Sequence, residues 1–237
     1  KYGLALLLLS FYSCESWLNV TPSDRLSEEM LFNDREGFVK ALNGVYIELN
    51  TNELYGRNLT AGALDVMGQY YSVASSSHAF YNYGGLVYTG NDEKALFDNM
   101  WQKCYAVIAC CNTIIEKCDE NKAGLSPVWK GSIKGEALAL RAMLHFDMLR
   151  LFGPLTSELD KESIPYQTNS DQTVTPLLSG SEVIGLILDD LKNAVGLLKD
   201  TDPYFVEEEF SDTDLNYRRF RMNYFAAKGL MARVQLW

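Results

Sequence analysis

The stretch from Gly135 to Pro154 constrains the fold of this chain most strongly. Apolar residues recur along it at the spacing of one helical face, at Leu138, Ala142, Leu149 and Phe152, with Leu140, Leu144 and Leu151 widening the stripe. Gly153 can supply a left-handed turn after the last helical residue, and Pro154 prevents continuation. The pattern predicts an amphipathic core helix that ends at Gly153.

The charges on this helix agree with its direction. Glu136 lies near the predicted start and Arg150 near the end, where each suits the helix dipole. Asp147 lies close to the negative end, so we expect Arg150, three residues later, to pair with it.

Helical patterns flank this stretch on both sides. One runs from near Asn91 to Cys118, and a new helical run opens at Pro127, so the two form an antiparallel hairpin. Another helix opens at Gly180, and a final one is predicted from Arg219. No segment shows sustained alternation with a period of two. The fold class is therefore predicted to be all-α with few strands.

The repeat pattern indicates paired helices. Ala142 with Phe146 satisfies the Ala-x-x-x-Phe signature of the second helix of a tetratricopeptide unit, and Ala227 with Met231 satisfies it loosely. These two positions lie roughly 85 residues apart, whereas a tandem array repeats about every 34. We therefore expect two tetratricopeptide-type helical hairpins with a long loop inserted between them.

The segment from Gly62 to Gly90 has no helical stripe and is predicted to be a long loop. It is rich in aromatic residues, which bind the apolar faces of sugar rings, and polar side chains can bind the hydroxyl edges. The candidate ligand-binding residues are Tyr70, Tyr71, Tyr81 and Tyr83 for stacking, with Gln69 and Asn82 as polar partners. Alternatively, these rings pack back under the loop as a small core of their own.

The chain begins with an apolar run, residues 2–13, that is followed by Cys14. The run is shorter than the 20 or so residues that a membrane-spanning helix needs, and it has the length of a signal-peptide core. We expect residues 1–13 to be a lipoprotein signal peptide and Cys14 to be lipidated, although Phe11 replaces the usual Leu. A soluble secreted chain that is cut elsewhere, or a buried N-terminal strand, is the alternative.

Composition and residue pattern exclude several functions. The net charge of −10 disfavours nucleic acid as a partner. Cys104, Cys111 and Cys118 lie a heptad apart, which places their sulfurs roughly 10 Å apart along a helix, too far for one tetrahedral metal ion. His145 is predicted to be a packed or surface residue. No catalytic motif is present, so we predict no enzyme activity, no catalytic residue, no metal and no cofactor.

Several motifs together resemble the SusD/RagB family of outer-membrane lipoproteins. The resemblance covers the chain after the signal region. The motifs are Trp17–Pro22 after the cysteine, Ala41–Tyr46, the series Trp101, Tyr105, Ile108 and Asn112, the block Gly135–Ala142 continued by Phe146, Asp147 and Arg150–Gly153, and Asp189–Leu191 with Ala194, Leu197 and Leu198.

The resemblance implies a SusD-like helical fold for residues 14–237, as the N-terminal region of a longer protein whose C-terminal part is missing. It implies a lipid-anchored protein, exposed on the cell surface at the outer membrane. Such a protein binds a nutrient, usually a glycan, and delivers it to a SusC-like TonB-dependent transporter. Arg141 and Asp147 then become structural members of a helical repeat. Glycan, glycopeptide and peptide ligands all suit an aromatic cleft, and a protein-interaction scaffold without direct ligand contact is the alternative function.

Overall fold

The computed structural model describes residues 28–171 and 173–237. Predictions for the signal peptide and Cys14 lie outside these residues. The described helices are α1 Glu28–Leu31, α2 Arg35–Leu49, α3 Ala63–Met67, α4 Tyr81–Gly84, α5 Asn91–Glu120, α6 Pro127–Phe152, α7 Gly180–Thr201, α8 Asp212–Arg218 and α9 Tyr224–Leu236. Single 3-10 turns occur at Thr156–Glu158 and Glu207–Glu209. The predicted all-α class is confirmed.

The strand content of the described residues is one short antiparallel pair. Strand β1, Glu162–Pro165, pairs with β2, Leu177–Ser179, and the register is irregular between Glu162 and Pro165. This pair lies inside a stretch that lacks a helical pattern, and it leads the chain into α7. Ser179 caps α7, because its hydroxyl accepts a hydrogen bond from the Glu182 backbone while the Glu182 carboxylate accepts from the Ser179 backbone.

Helix α6 lies at the centre of the fold. It begins at Pro127, where the Ser126 hydroxyl accepts a hydrogen bond from the Trp129 backbone N–H. It packs against α5 on one side and α7 on another, so it is buried on nearly all its faces rather than along one stripe. The core position is confirmed, whereas the amphipathic description is wrong.

Two details of α6 also correct the predictions. Gly153 is extended, with φ −82° and ψ 177°, and not left-handed, because the residue before a proline is driven to extended backbone. Glu136 is not in the first turn and does not serve the helix dipole, since it lies well inside the helix and is 2% exposed. The predicted pair of Asp147 with Arg150 is present, at 3.1 Å between Oδ1 and Nη1.

The hairpin of α5 and α6 forms much of the core. Cys104, Cys111 and Cys118 face inward on α5 and are fully buried among apolar side chains. Burial raises the pKa of each thiol, to about 12 for Cys118, so these cysteines are neutral core residues. No cluster of metal ligands occurs among the described residues, and none of their helices is long and apolar enough to cross a membrane.

The last helix begins later than predicted. Instead of a helix from Arg219, α8 ends at Arg218 and α9 starts at Tyr224 with Asn223 as its cap. The break is held by the Asp202 carboxylate, which accepts from the Tyr224 backbone at 2.8 Å and from Nε and Nη2 of Arg218 at 3.0 and 2.6 Å, while Nη1 of Arg218 pairs with Glu136. The ion pairs thus fix the entry of α9, which packs on α7 as the second hairpin.

Candidate functional site

The predicted loop of residues 62–90 contains the two short helices α3 and α4, which the sequence pattern did not predict, and it is anchored by a cluster of aromatic rings. Tyr83 is 2% exposed, and its ring centroid lies 5.8 Å from that of Phe80 and 6.0 Å from that of Phe97. Phe97 on α5 in turn contacts Phe152 at the end of α6, with centroids 6.2 Å apart. The loop is therefore packed on the central helix and holds a defined shape.

Tyr83 is buried under the loop and packs against its other rings, so it is not available to stack on a ligand as predicted. Its hydroxyl donates to the Asp92 carbonyl at 3.5 Å. Burial, with the nearby Glu93 and Asp92 carboxylates, raises its pKa to about 12, so the phenol stays neutral. The alternative interpretation, that the rings form a core under the loop, is thus correct for Tyr83.

The other tyrosines of the loop remain at the surface. Tyr70, Tyr71 and Tyr81 are 79%, 54% and 42% exposed. Tyr71 and Tyr81 line one cavity of about 390 Å³, together with Gln69 and Asn82. Tyr70 does not line this cavity, because its ring lies against Gly68. The structure therefore brings together four of the six predicted residues.

Hydrogen bonds fix the two amide side chains of the cavity. Gln69 donates from Nε2 to the Gly84 carbonyl at 3.0 Å, and Asn82 donates from Nδ2 to Oε1 of Glu93 at 2.8 Å. Glu93 is 5% exposed and lies in the first turn of α5, where the helix dipole favours a carboxylate. Each amide therefore keeps its oxygen as an acceptor.

The backbone around the cavity is held in an unusual conformation at two positions. Gln69 has φ 61° and Leu86 has φ 55°, in the left-handed region that residues other than glycine rarely adopt. Gln69 lines the cavity, and Leu86 lies between two of its lining residues, Gly85 and Val87. Such strained positions concentrate at ligand sites, where the surrounding structure holds them.

The chemistry of this cavity suits a neutral, hydroxylated ligand. Its lining carries tyrosine rings, amide oxygens and the Ser72 hydroxyl, and no carboxylate or cationic side chain. The hydroxyls of Tyr71 and Tyr81 make no hydrogen bond within the described residues, so both can donate to a ligand. Glu93, which orients Asn82, was missed by sequence reasoning because nothing in the local pattern links the two residues.

The buried His145 is structural. Its Nδ1 lies 3.0 Å from the Arg141 carbonyl, its Nε2 accepts from the Gln167 backbone at 3.0 Å, and its ring stacks on Tyr166 with centroids 3.9 Å apart. Burial lowers its pKa to about 3, so the ring is neutral. Both nitrogens are occupied by the backbone, which leaves neither for proton transfer with a substrate.

The profile of a family described as "Starch-binding associating with outer membrane" matches residues 16–236. SusD-like protein P2 of Formosa agariphila is 26% identical over 160 residues, which cover 65% of this chain and 30% of that protein. A SusD-like protein of Bacteroides ovatus is 30% identical over 146 residues, covering 60% of this chain and 23% of that protein.

Solved structures show the same fold. A SusD-like carbohydrate binding protein from Bacteroides vulgatus has a TM-score of 0.66 at 23% identity, over 85% of this chain and 41% of its own. A SusD-like protein from Bacteroides fragilis has a TM-score of 0.64 at 19% identity, over 91% and 37%. The matched segments cover between 23% and 34% of the length of the relatives found by sequence.

Proposed function

The chain belongs to the SusD-like family, and from this premise we propose that it is the N-terminal part of a cell-surface lipoprotein that binds a neutral glycan. The protein then delivers that glycan to a SusC-type TonB-dependent transporter, as the family resemblance implies. The protein acts by binding and release and carries out no chemical step on its ligand.

The observation that supports glycan binding is the cavity of the loop at residues 62–90. Tyr71 and Tyr81 offer exposed rings for the apolar face of a sugar, and the fixed oxygens of Gln69 and Asn82 accept from its hydroxyls. Tyr83 beneath them keeps the loop in place before the ligand arrives, so little conformational entropy is lost on binding.

Glycan binding is tested by affinity electrophoresis of the full-length protein in gels that contain amylopectin, xylan, laminarin or mannan. We expect retardation by at least one polysaccharide, and its loss in Tyr71→Ala and Tyr81→Ala. Tyr204→Ala is a matched control, because Tyr204 is 41% exposed, close to the 42% of Tyr81, and lies outside the cavity. Retardation that is equal in all variants would place the glycan elsewhere.

We also propose that a lipid on Cys14 anchors the protein to the outer membrane. Its support is the apolar run that precedes Cys14, together with the family's association with the outer membrane. A thioether-linked lipid and an acylated amino group on one cysteine would provide the two hydrophobic signals that stable anchoring needs. Radiolabelled palmitate should be incorporated by the wild-type protein and not by Cys14→Ser. Equal incorporation would exclude this anchor.

A protein-interaction scaffold is the second candidate. It is favoured by a group of exposed aromatic residues where α7 ends and α9 begins, with Tyr204, Phe205 and Phe225 at 41%, 48% and 58% exposure. These rings touch one another, with centroids 5.9 Å apart for Phe205 and Phe225. Exposed apolar groups of this kind mark interaction surfaces. Co-purification of a transporter that is lost in Phe205→Ser, with glycan retardation unchanged, would support this function.

A further inference from the structure

A second cavity, of about 470 Å³, lies between α2, α6 and the segment 203–221. Its walls come from Val39 and Asn43 on α2, from Ser132 and Ile133 on α6, and from the α8 region. It shares no lining residue with the cavity at residues 69–87. The two cavities are therefore independent sites.

The Ser132 hydroxyl is an unpaired polar group in this cavity. Ser132 is 5% exposed, yet its hydroxyl makes no hydrogen bond with any described residue, not even to the preceding turn of α6. Two partly buried helical hydroxyls behave differently, since Thr113 and Thr201 donate to the carbonyl four residues earlier at 3.1 and 2.9 Å. The oxygen itself is open to the cavity, since Thr51 Oγ1 is the one fully enclosed side-chain oxygen without a partner among the described residues, so a ligand can bond the Ser132 hydroxyl directly.

Further polar groups around the cavity are also available. Asn43 accepts from Nη1 of Arg221 through its amide oxygen at 2.7 Å, which leaves its amide N–H groups without a partner in the described residues. The Nη2 group of Arg221 and the hydroxyl of Thr213 make no hydrogen bond there either. These groups supply several donors to a ligand that carries many oxygens.

The charges at the base of the cavity are already paired. Glu136 binds Arg218 through one carboxylate oxygen and Arg221 through the other, at 2.8 Å for the Arg221 bond. Arg218 also binds Asp202 at 2.6 Å. A charged ligand would have to compete with these pairs, whereas a neutral one leaves them intact. The mouth offers the exposed rings of Tyr217 and Phe220, at 63% and 70% exposure.

We propose that this cavity is a second carbohydrate-binding site, which takes a neutral sugar unit with a hydroxyl bonded to Ser132 and a ring face against Tyr217. The cavity lies within the 300–1,000 Å³ or so that small-ligand sites occupy, and its lining is mostly apolar with a few convergent polar groups, as such sites are. The proposal takes its ligand class from the proposed function but rests on a different set of residues.

The test is a methyl-detected NMR titration of the full-length protein with maltohexaose, xylohexaose, laminarihexaose and mannohexaose, each to 10 mM or so. Methyl groups report the two sites separately, because Ile133 lines this cavity and Val87 lines the other. We expect a saturable shift of the Ile133 signal with at least one sugar. We expect at least about fivefold weaker binding in Ser132→Ala and in Tyr217→Ala, with no change in Tyr81→Ala.

The outcomes separate the two proposals. A shift at Val87 without one at Ile133 overturns the second site and leaves the proposed function standing, whereas the converse supports the second site alone. An Ile133 shift that persists unchanged in Ser132→Ala and Tyr217→Ala would also overturn it. Contacts between Ile133 and another segment of the same protein, seen without sugar, would show that polypeptide fills the cavity and would likewise overturn it. Because Tyr217 is exposed, Tyr217→Ala is expected to fold normally, and it can still test the site if Ser132→Ala fails to fold.

Discussion

Arg141 on α6 and Asp190 on α7 form a two-bonded ion pair inside the core, with Nε–Oδ2 and Nη2–Oδ1 distances of 2.7 Å each. Tyr166 donates its hydroxyl to the same carboxylate at 2.6 Å, and Arg141 also donates to Asn112 at 2.8 Å. The pair therefore ties the two hairpins and the strand segment to the central helix. It gives Arg141 the structural role that the family resemblance implies.

Removal of Arg141 is expected to destabilise the fold strongly. Arg141→Leu leaves the Asp190 carboxylate buried without its cation, and loss of one partner of a buried pair costs about 3–5 kcal/mol. Urea unfolding of the full-length protein measures the change. Lys192→Ala is the control, because the Lys192–Asp189 pair is exposed and surface pairs contribute little. Equal midpoints for the two variants would contradict the role of the buried pair.

Truncation of Tyr83 is expected to lower stability, whereas truncation of Tyr81 is expected to weaken glycan binding. Tyr83→Ala removes a buried ring from the aromatic cluster and should lower the free energy of unfolding by about 3–5 kcal/mol, as such core truncations do. Tyr81→Ala removes a ring that is 42% exposed and should leave the thermal midpoint nearly unchanged while weakening glycan binding. Calorimetric melting compares them, and a stable Tyr83→Ala protein would contradict the packing described for the loop.

The stability of the protein should depend on pH through His145. Burial lowers the pKa of His145 to about 3 from its ordinary 6.5, so the folded state binds fewer protons than the unfolded state between these values. The contribution of His145 to the free energy of unfolding is therefore complete above pH 6.5. It is lost as the pH drops towards 3, by up to about 1.4 kcal/mol per pH unit.

His145→Gln removes this titration, so its stability should fall less steeply between pH 6.5 and 4.5. This window also lies above the pKa of Glu136. Burial disfavours the charged form of this carboxyl, but the Arg218 and Arg221 guanidinium groups hold its pKa below the ordinary 4.5. Urea midpoints across the window provide the measurement. Wild-type and variant curves of the same slope would show that His145 does not contribute.

The sequence predicted those parts of the fold that local chemistry determines. The start of α6 at Ser126 and Pro127 and the pairing of Asp147 with Arg150 follow from spacings of a few residues, and both are present. Glu136 is different, because its partner Arg218 lies 82 residues away and no local pattern reveals it. The late start of α9 depends on another distant contact, since the Tyr224 backbone N–H donates to Asp202, 22 residues earlier.

The candidate site was predictable as a region but not residue by residue. Composition identified the aromatic loop, yet only the packing of Phe80 and Phe97 decides that Tyr83 is buried while Tyr81, two residues earlier, is exposed. The cavity around Ser132 could not be predicted, because it depends on α2 and α8 meeting α6 at a distance in the chain.

The most direct test of glycan binding by the loop is isothermal titration calorimetry of the full-length protein with the glycan that retards it. Tyr71→Ala combined with Tyr81→Ala should weaken the Kd at the loop by about 5- to 150-fold, since stacking on each ring contributes about 0.5–1.5 kcal/mol. Tyr204→Ala should bind as the wild type does. A double variant that keeps the wild-type Kd would contradict the assignment of the glycan to this loop.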